Sequence, residues 1–489
     1  MKLTYNIDAT PKQMGYGQTV LFALQQLLAI LAATILVPII INGNVVNAGF
    51  PYPGMTVSAA LFGAGVGTLI YQLFTKFRSP VFLGSSFAFL SSMTVAFTGA
   101  LTATALGFLG LVIGAILAGL VYVALSFVVK FVGSGWVDKL MPAAIIGPTV
   151  AIIGLSLAGN AVSDSLGAAG GVVDGSAIGY KGLIFLAIAL ITLFTVVVCS
   201  VNNKKMIKLI PFVIGIAVGY VIASILTAIG NAADVDTLKI INFDAFKNMD
   251  WKPDFSFLHA FKGFKDMNAA YFGTIAVAYV PVAFVVFAEH IADHKNLSSI
   301  IGRDLISDPG LDKTLLGDGV GSMVGAFFGG CPNTTYGESI GCVAISGNAS
   351  VWTITCTSVL AIIASFITPF VTLLSTIPSC VMGGVCFALY GFIAVSGLKM
   401  LQKVDLGDNK NLFTVSSILI AGVGGLSLTF VFRNGQITLT SVACALILGI
   451  VVRLIASSKF FNKEDAASEE AASEEVAPVE VAAEEGDKE

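Results

Sequence analysis

The chain has 489 residues, of which 56% are hydrophobic and only 11% charged, where a soluble domain carries about 25% charged residues. That composition excludes a soluble globular enzyme. Apolar runs of the roughly 20 residues needed to cross a bilayer recur to about residue 455, so the chain reads as a polytopic membrane protein. The net charge of −4 is set by the tail from Glu464 to Glu489, which holds eleven of the thirty acidic residues and one lysine; the rest has 19 acidic and 25 basic residues, a net +6.

Residues 1–18 are polar to mixed and read as a cytoplasmic N-terminus. The first apolar run is too long, and too poor in a cleavage signature, for a secretory signal peptide, and is retained as a span. Apolar runs set against helix breakers predict spans at Thr19–Ile41, Met55–Thr75, Leu106–Lys130, Met141–Gly159, Leu183–Cys199, Ile207–Ile229 and Tyr271–Ile291. Further spans follow at Leu315–Phe328, Val351–Leu374, Ile377–Val395, Leu412–Phe430 and Ile437–Leu454. Two more segments are membrane-like but interrupted: "RSPVFLGSSFAFLSSMTVAF" at 78–97 and "GGCPNTTYGESIG" at 329–341. With them the count is fourteen. Placing both termini in the cytoplasm puts 19 of the 26 Lys and Arg inside, as the positive-inside rule requires. The tail is acidic, of low complexity and without aromatic residues. Such a segment buries too little apolar surface to order itself and reads as a disordered spacer, the alternative being a docking tail. The seven cysteines lie mostly within apolar runs and predict no disulfide framework.

The interrupted segments are third and tenth in order, matching places in two halves of seven spans. An odd number of spans per half inserts the second half upside down, which is the pattern of an inverted repeat with broken helices building a midplane site. Each break has a proline (Pro80, Pro332) and small or β-favouring residues (Gly84-Ser85-Ser86, Thr334-Thr335-Tyr336) before a new helix start. Backbone without helical hydrogen bonds is tolerated at this depth only where protein or a water-filled cavity satisfies it. The expected fold is therefore all-α and polytopic, a 7+7 inverted repeat with short antiparallel β pieces in segments 3 and 10.

Outside the tail the chain contains only two glutamates, Glu289 and Glu338. Glu289 opens the cluster Glu289-His290-Ile291-Ala292-Asp293-His294, in which Glu289 and Asp293 share a helix face. Ionisable residues at membrane depth mark substrate or ion pathways by default. The alternatives are an interfacial charge for Glu289, an interfacial role for His294, and a helix-capping acid for Glu338. His290 and His294 have the i, i+4 spacing of metalloprotease helices. The glutamate precedes them instead of following the first, however, and the remaining histidine, His259, lies in the long loop. No metal, cofactor or catalytic nucleophile is predicted, and the chain is not read as an enzyme. Half-helix N-termini at Phe87 and Gly337 offer N–H donors, while ionised Glu289 and Glu338 only accept. Their complement is a small, flat, neutral molecule with alternating N–H donors and carbonyl acceptors.

At these residues the chain resembles the nucleobase–ascorbate transporter family (nucleobase:cation symporter type 2), and most closely its bacterial uracil permease branch. The resemblance runs through "LQQLLAILAATILVP" (24–38), "GSSFAF" (84–89), "AEHIADH" (288–294), "GRDLISDPGLDKTLLGDG" (302–319), "PNTTYGESIG" (332–341) and "MGGVCFALYG" (382–391). It implies a core domain at 19–135 and 269–375 (spans 1–4 and 8–11) and a gate domain at 136–230 and 376–457 (spans 5–7 and 12–14). An extracytoplasmic loop at 231–268 and the tail at 458–489 complete the division. It further implies proton-coupled import of uracil across the cytoplasmic membrane by alternating access, and often a homodimer. By matching position Glu289 and Glu338 would accept from the pyrimidine N–H groups, backbone N–H groups of Phe87 and Gly337 would meet its carbonyls, and Tyr336 and Tyr390 would line the pocket. Proton coupling would fall to Glu289 and Asp293. The chain departs from the family pattern at Ser339 (usually asparagine), Ser346 (usually threonine, followed by Arg, Lys or Gly, here Gly347), Gln26 (histidine in close relatives) and Asp293 (histidine in the uracil branch). Purine transporters generally carry glutamine at the position of Glu338, which favours uracil. The alternatives are a xanthine or urate symporter of the same fold, a nucleobase-binding membrane sensor, and a metal-dependent membrane hydrolase. A nucleic-acid partner is not expected.

Overall fold

The computed structural model describes residues 3–100, 104–167, 172–173, 177–247, 249, 256–402, 404–432 and 435–457; the acidic tail lies outside them. A capping box between Thr10 and Gln13 opens the short α1 (Pro11–Met14), and Gly15, at φ 88°, turns the chain into α2 (Tyr16–Asn47). Thr56 caps α3 (Val57–Phe74), its Oγ1 accepting from Ala59 N at 3.1 Å. Lys76 and Phe77, both left-handed, then turn the chain toward strand β1 (Leu83–Ser85), followed by the short α4 (Leu90–Gly99) and the long α5 (Thr104–Val132). After α6 (Gly135–Leu140) come α7 (Ala143–Ser156) and α8 (Ala158–Ser165), the two-residue strands β2 (Val172–Val173) and β3 (Ala177–Ile178), then α9 (Tyr180–Ser200), α10 (Lys205–Leu209) and α11 (Pro211–Ala233).

Asn268 caps the 33-residue α12 (Ala269–Ile301), accepting from Tyr271 N at 2.8 Å, and Gly302 ends it in the left-handed conformation. Next are α13 (Leu311–Phe327), β4 (Asn333–Thr335), α14 (Gly337–Ser346), α15 (Val351–Ser365), α16 (Thr368–Ser375) and α17 (Ser379–Leu401). The described chain closes with α18 (Asn409–Val423), β5 (Leu428–Phe432), β6 (Gly435–Leu439) and α19 (Ser441–Ala456). Among the described residues eight helices are long and apolar enough to cross a membrane, or nine if the bent pair α15–α16 is one span.

Two contacts position the site. Strands β1 and β4, 250 positions apart in sequence, pair antiparallel in the register Leu83↔Thr335, Gly84↔Thr334, Ser85↔Asn333. Around them α3 and α13 meet through glycines: a Cβ on Gly63 would fall 2.6 Å from Gly325 O, and one on Gly67 would fall 2.7 Å from Gly321 O. Small residues let membrane helices approach this closely. Asn333 occupies the space they leave, its Nδ2 donating to Gly63 O at 2.8 Å while its backbone N–H donates to Ser322 Oγ at 3.0 Å. A second close pair joins α7 and α17, where Gly147 and Gly397 approach backbone to backbone.

Several predicted spans are corrected. The run Val351–Leu374 bends by 84° between α15 and α16, because Pro369 at the start of α16 cannot continue the helix before it. Ile207–Ile229 divides at Pro211 for the same reason. Leu412–Phe430 and Ile437–Leu454 are not continuous helices: α18 stops at Val423, Gly425 turns the chain at φ 73°, and β5 and β6 form an antiparallel hairpin. β-Branched and aromatic residues in "LTFVF" and "GQITL" favour strand here. With the β2–β3 pair, the hairpin means that strand is not confined to the two interrupted segments. Tyr271–Ile291 runs ten residues further, to Ile301.

At one edge of the fold Asp308 accepts from Arg303 and, at 3.1 Å, from Arg78, and Arg303 also lies 3.6 Å from Asp8. Arg303 first, then Arg78, holds the Asp308 carboxyl below its usual range. A depressed folded value contributes stability above the unfolded value of about 3.9 that disappears as pH falls through the folded one. The difference in thermal stability between wild type and Asp308→Asn should therefore shrink as pH falls from about 6 to about 3, measured by thermal unfolding in detergent. Gly63→Val should lower stability by about 1–3 kcal/mol through overpacking. Gly43→Ala on α2, where a Cβ meets nothing within 4 Å, should leave it unchanged or slightly raised.

Candidate functional site

The site is built where α12 passes the paired strands. Gly337 is the first residue of α14, exposed, with nothing within 4 Å of where a Cβ would stand. Its N–H is one of the orphan donors of a helix start. Glu338 follows in the first turn, half-buried. Phe87 sits in the turn before α4, whose first residue is Leu90, so it stands ahead of that helix instead of opening it. Its ring packs edge-on to Tyr390 from α17 at 5.7 Å. Tyr336 lies across Gly84 and donates to Ser85 O at 2.8 Å. A Cβ on Gly84 would collide with the Tyr336 ring at 2.3 Å, so this glycine is required by close approach.

Glu289 lies twelve residues before the end of α12 and is half-buried. Among the described residues its Oε2 is buried and has no hydrogen-bond partner. Glu338, Asp293 and Asp318 are all close enough to act on it electrostatically. Asp293 is buried, and its Oδ2 accepts from Thr335 Oγ1 of β4 at 2.6 Å. The structure thus brings Glu289, Asp293 and Glu338 within electrostatic reach of one another, with Tyr336 near Glu289 and Glu338; Phe87 and Tyr390 form a ring pair of their own.

The histidines are buried as well. His290 Nδ1 is 2.7 Å from Asp318 Oδ2 of α13 and its Nε2 is 3.0 Å from Thr314 Oγ1. His294 Nδ1 is 2.8 Å from His290 O, its Nε2 is 2.8 Å from Tyr71 OH, and the two rings stack at 4.0 Å. With all four ring nitrogens engaged, neither imidazole is left to ligate a metal; the side chain of His259 lies outside the described residues. Full burial of His294 overturns its interfacial reading. Sequence reasoning missed Asp318, Thr335 and Tyr71. Asp318 stands in the quoted block "GRDLISDPGLDKTLLGDG", where an aspartate amid apolar and small residues was the available signal. The two departures Gln26 and Ser339 meet each other: Gln26 Nε2 donates to Ser339 O at 3.1 Å and to its Oγ.

Apolar spanning helices around a broken-helix site with buried acids define a multi-pass membrane permease. Residues 17–433 match a family model, Xan_ur_permease, described as a permease family, and the chain belongs to the nucleobase–ascorbate transporter family. It is 39% identical to the uracil permease of Bacillus caldolyticus over 90% of this chain and 92% of that one. It is 37% identical to that of Bacillus subtilis (89% and 91%) and 35% identical to that of Escherichia coli K12 (90% and 91%). Among solved structures it resembles the transmembrane domain of a cyanobacterial bicarbonate transporter, BicA, with TM-score 0.53 and 16% identity over 91% of this chain and 97% of that one. It also resembles the murine anion transporter Slc26a9 in the inward-facing state, with TM-score 0.58 and 12% identity over 89% and 67%. At such identities the likeness concerns the fold alone.

Removing one partner of a buried hydrogen bond leaves the other unsatisfied, at about 1–3 kcal/mol. His290→Ala should therefore destabilise the protein by that order, and Asp318→Asn, which keeps a hydrogen-bonding group beside His290, by less. Thermal unfolding of the two purified variants checks the order.

Proposed function

We propose that this chain is a uracil:proton symporter of the cytoplasmic membrane, importing uracil by alternating access. The observation that carries the reading is the unpartnered, buried Glu289 Oε2 beside Glu338 and the open N-terminus of α14. Two acceptors and backbone donors around open space need a ligand bearing both N–H and C=O groups. Uracil has two ring N–H groups and two carbonyls, and it is what the relatives at 35–39% identity are named for transporting. In this reading Glu289 and Glu338 accept from the ring N–H groups, and backbone N–H groups of Gly337 and Phe87 donate to the carbonyls. Tyr336 and Tyr390 wall the site.

Coupling needs no cofactor other than the proton. Asp293 and Glu289 share a face of α12, and Asp293 touches the substrate strand through Thr335. Protonating Asp293 removes an acceptor charge from that hydrogen bond, so the proton and β4 act on one another directly. Four acids within electrostatic reach cannot all remain ionised in a desolvated site, which supplies a reason for a proton to travel with a neutral substrate.

For the architecture we propose fourteen spans in a 7+7 inverted repeat, with both termini cytoplasmic. Assigning spans in order, α3 and α13 are second and ninth, β1 and β4 belong to the third and tenth, and α7 and α17 are fifth and twelfth. Each of these pairs, seven apart, packs together, as elements near a pseudo-two-fold axis should. Spans 1–4 with 8–11 then form the core that holds uracil, and spans 5–7 with 12–14 the gate.

Glu338→Gln and Glu289→Gln should each reduce uptake of labelled uracil by about tenfold or more, the scale of a lost charged hydrogen bond, with expression intact. In proteoliposomes, uracil should compete with labelled uracil and xanthine should not, and dissipating the proton gradient should abolish accumulation. Unchanged uptake by Glu338→Gln, or preferred competition by xanthine, would refute uracil as the substrate.

A further inference from the structure

Consecutive residues of α12 reach the two strands of the site separately. Asp293 holds β4, through the 2.6 Å bond from Thr335. His294 reaches the approach to β1: its Nε2 lies 2.8 Å from Tyr71 OH on α3, and that hydroxyl lies 2.7 Å from Ser79 Oγ, four residues before Leu83. His294, Tyr71 and Ser79 are all fully buried. The other ring nitrogen of His294 faces a carbonyl, His290 O, at 2.8 Å. A carbonyl only accepts, so Nδ1 carries the hydrogen and Nε2 is an acceptor facing Tyr71 OH, whose single hydrogen is shared between Nε2 and Ser79 Oγ. The ring is thereby fixed in orientation and tautomer, as a positioning group requires.

The segment being positioned cannot hold itself. Pro80 has no N–H to give and the chain from Ser79 to Phe82 is outside any helix. Its anchors are on α3, one turn apart. Thr68 Oγ1 accepts from Leu83 N at 2.9 Å and donates to Leu83 O at 3.1 Å, while Tyr71 holds Ser79. Tyr71 also packs with Val81, Leu83, Leu297 and Ile340, so its ring joins α3, the β1 segment, α12 and α14 in one cluster. Only its hydroxyl carries the link from His294 to Ser79.

We propose that His294 is a positioning residue for substrate, acting through Tyr71 and Ser79 to fix β1, and with it the Phe87 turn, relative to Glu289 on the same helix. Asp293 and His294 together make α12 a two-armed hold on the strand pair, one arm per strand, so a shift of α12 reaches both sides of the ligand. The titratable groups around this arm are Glu289, His290 and Asp293 on α12, Asp318 on α13, Glu338 on α14 and Tyr122 on α5. The proposal rests on the reading of the site as a uracil site.

The test is uracil titration by calorimetry on the purified full chain, with uptake kinetics in proteoliposomes and thermal unfolding of the apo protein. Tyr71→Phe removes the hydroxyl and keeps the ring. It should weaken uracil binding by about 3–10-fold, raising KM with kcat little changed. Ser79→Ala should shift affinity in the same direction, and the double variant should be no weaker than Tyr71→Phe, because both act through one chain of contacts. His294→Gln, whose side-chain amide can still hydrogen-bond the Tyr71 hydroxyl, should bind uracil more tightly than His294→Leu. Unchanged affinity in Tyr71→Phe and Ser79→Ala, with or without lower thermal stability, would overturn the proposal and leave the arm structural. Should Tyr71→Phe fail to fold, Ser79→Ala decides alone. Wild-type protein that binds no uracil would overturn the substrate reading itself, and this proposal with it.

Discussion

A backbone amide buried without a partner costs several kcal/mol, and this chain leaves helix twice in buried segments, at Leu83–Ser85 and Asn333–Thr335. The two breaks satisfy each other. Leu83–Ser85 and Asn333–Thr335 pair as a two-stranded ribbon, and the helix ends beside them are left pointing at the site. The remaining contacts follow from that ribbon. Glycines on α3 and α13 bring the flanking helices close enough to enclose it, and Asn333 fills the wedge between them. Gly84 admits the Tyr336 ring that closes one side. The register fixes how far Gly337 and Glu338 stand from the Phe87 turn.

The second constraint is charge. Carboxyl groups buried together demand partners, and here each is treated differently. Asp318 is held by His290 through Oδ2 and Asp293 by Thr335, while Glu289 Oε2 and Asp318 Oδ1 are left unengaged among the described residues. Asp293 is thereby tied to β4 and Asp318 to α12, each acid joining two elements of the fold. The meeting of Gln26 with Ser339 fits the same pattern. Two positions that depart from the family's usual residues form one contact, so the α2–α14 junction is closed by a different pair.

The site was legible in the sequence because rarity marked it. Two glutamates outside the tail, and two proline-containing breaks in apolar surroundings, leave few places for polar chemistry. What escaped was whatever depends on a partner distant in sequence. His294 read as interfacial because Lys295 follows it, yet α12 runs on for seven residues and buries it against Tyr71, 223 positions away. Asp318 carried no sign of His290. The C-terminal hairpin was hidden for another reason: "LSLTFVF", mostly apolar with only Ser427 and Thr429 polar, follows the apolar run of α18 closely, and so short a stretch is not separated by periodicity from the end of a helix. Gly424-Gly425 was the available stop signal.

The central claim is that the paired breaks and Glu289 hold one flat ligand between them. A structure of the protein determined with uracil tests it most directly. The account predicts uracil with its ring N–H groups within hydrogen-bond distance of Glu338 and Glu289, and its carbonyls facing the backbone N–H groups of Gly337 and Phe87. Uracil bound elsewhere, with Glu289 and Glu338 out of contact, would contradict it.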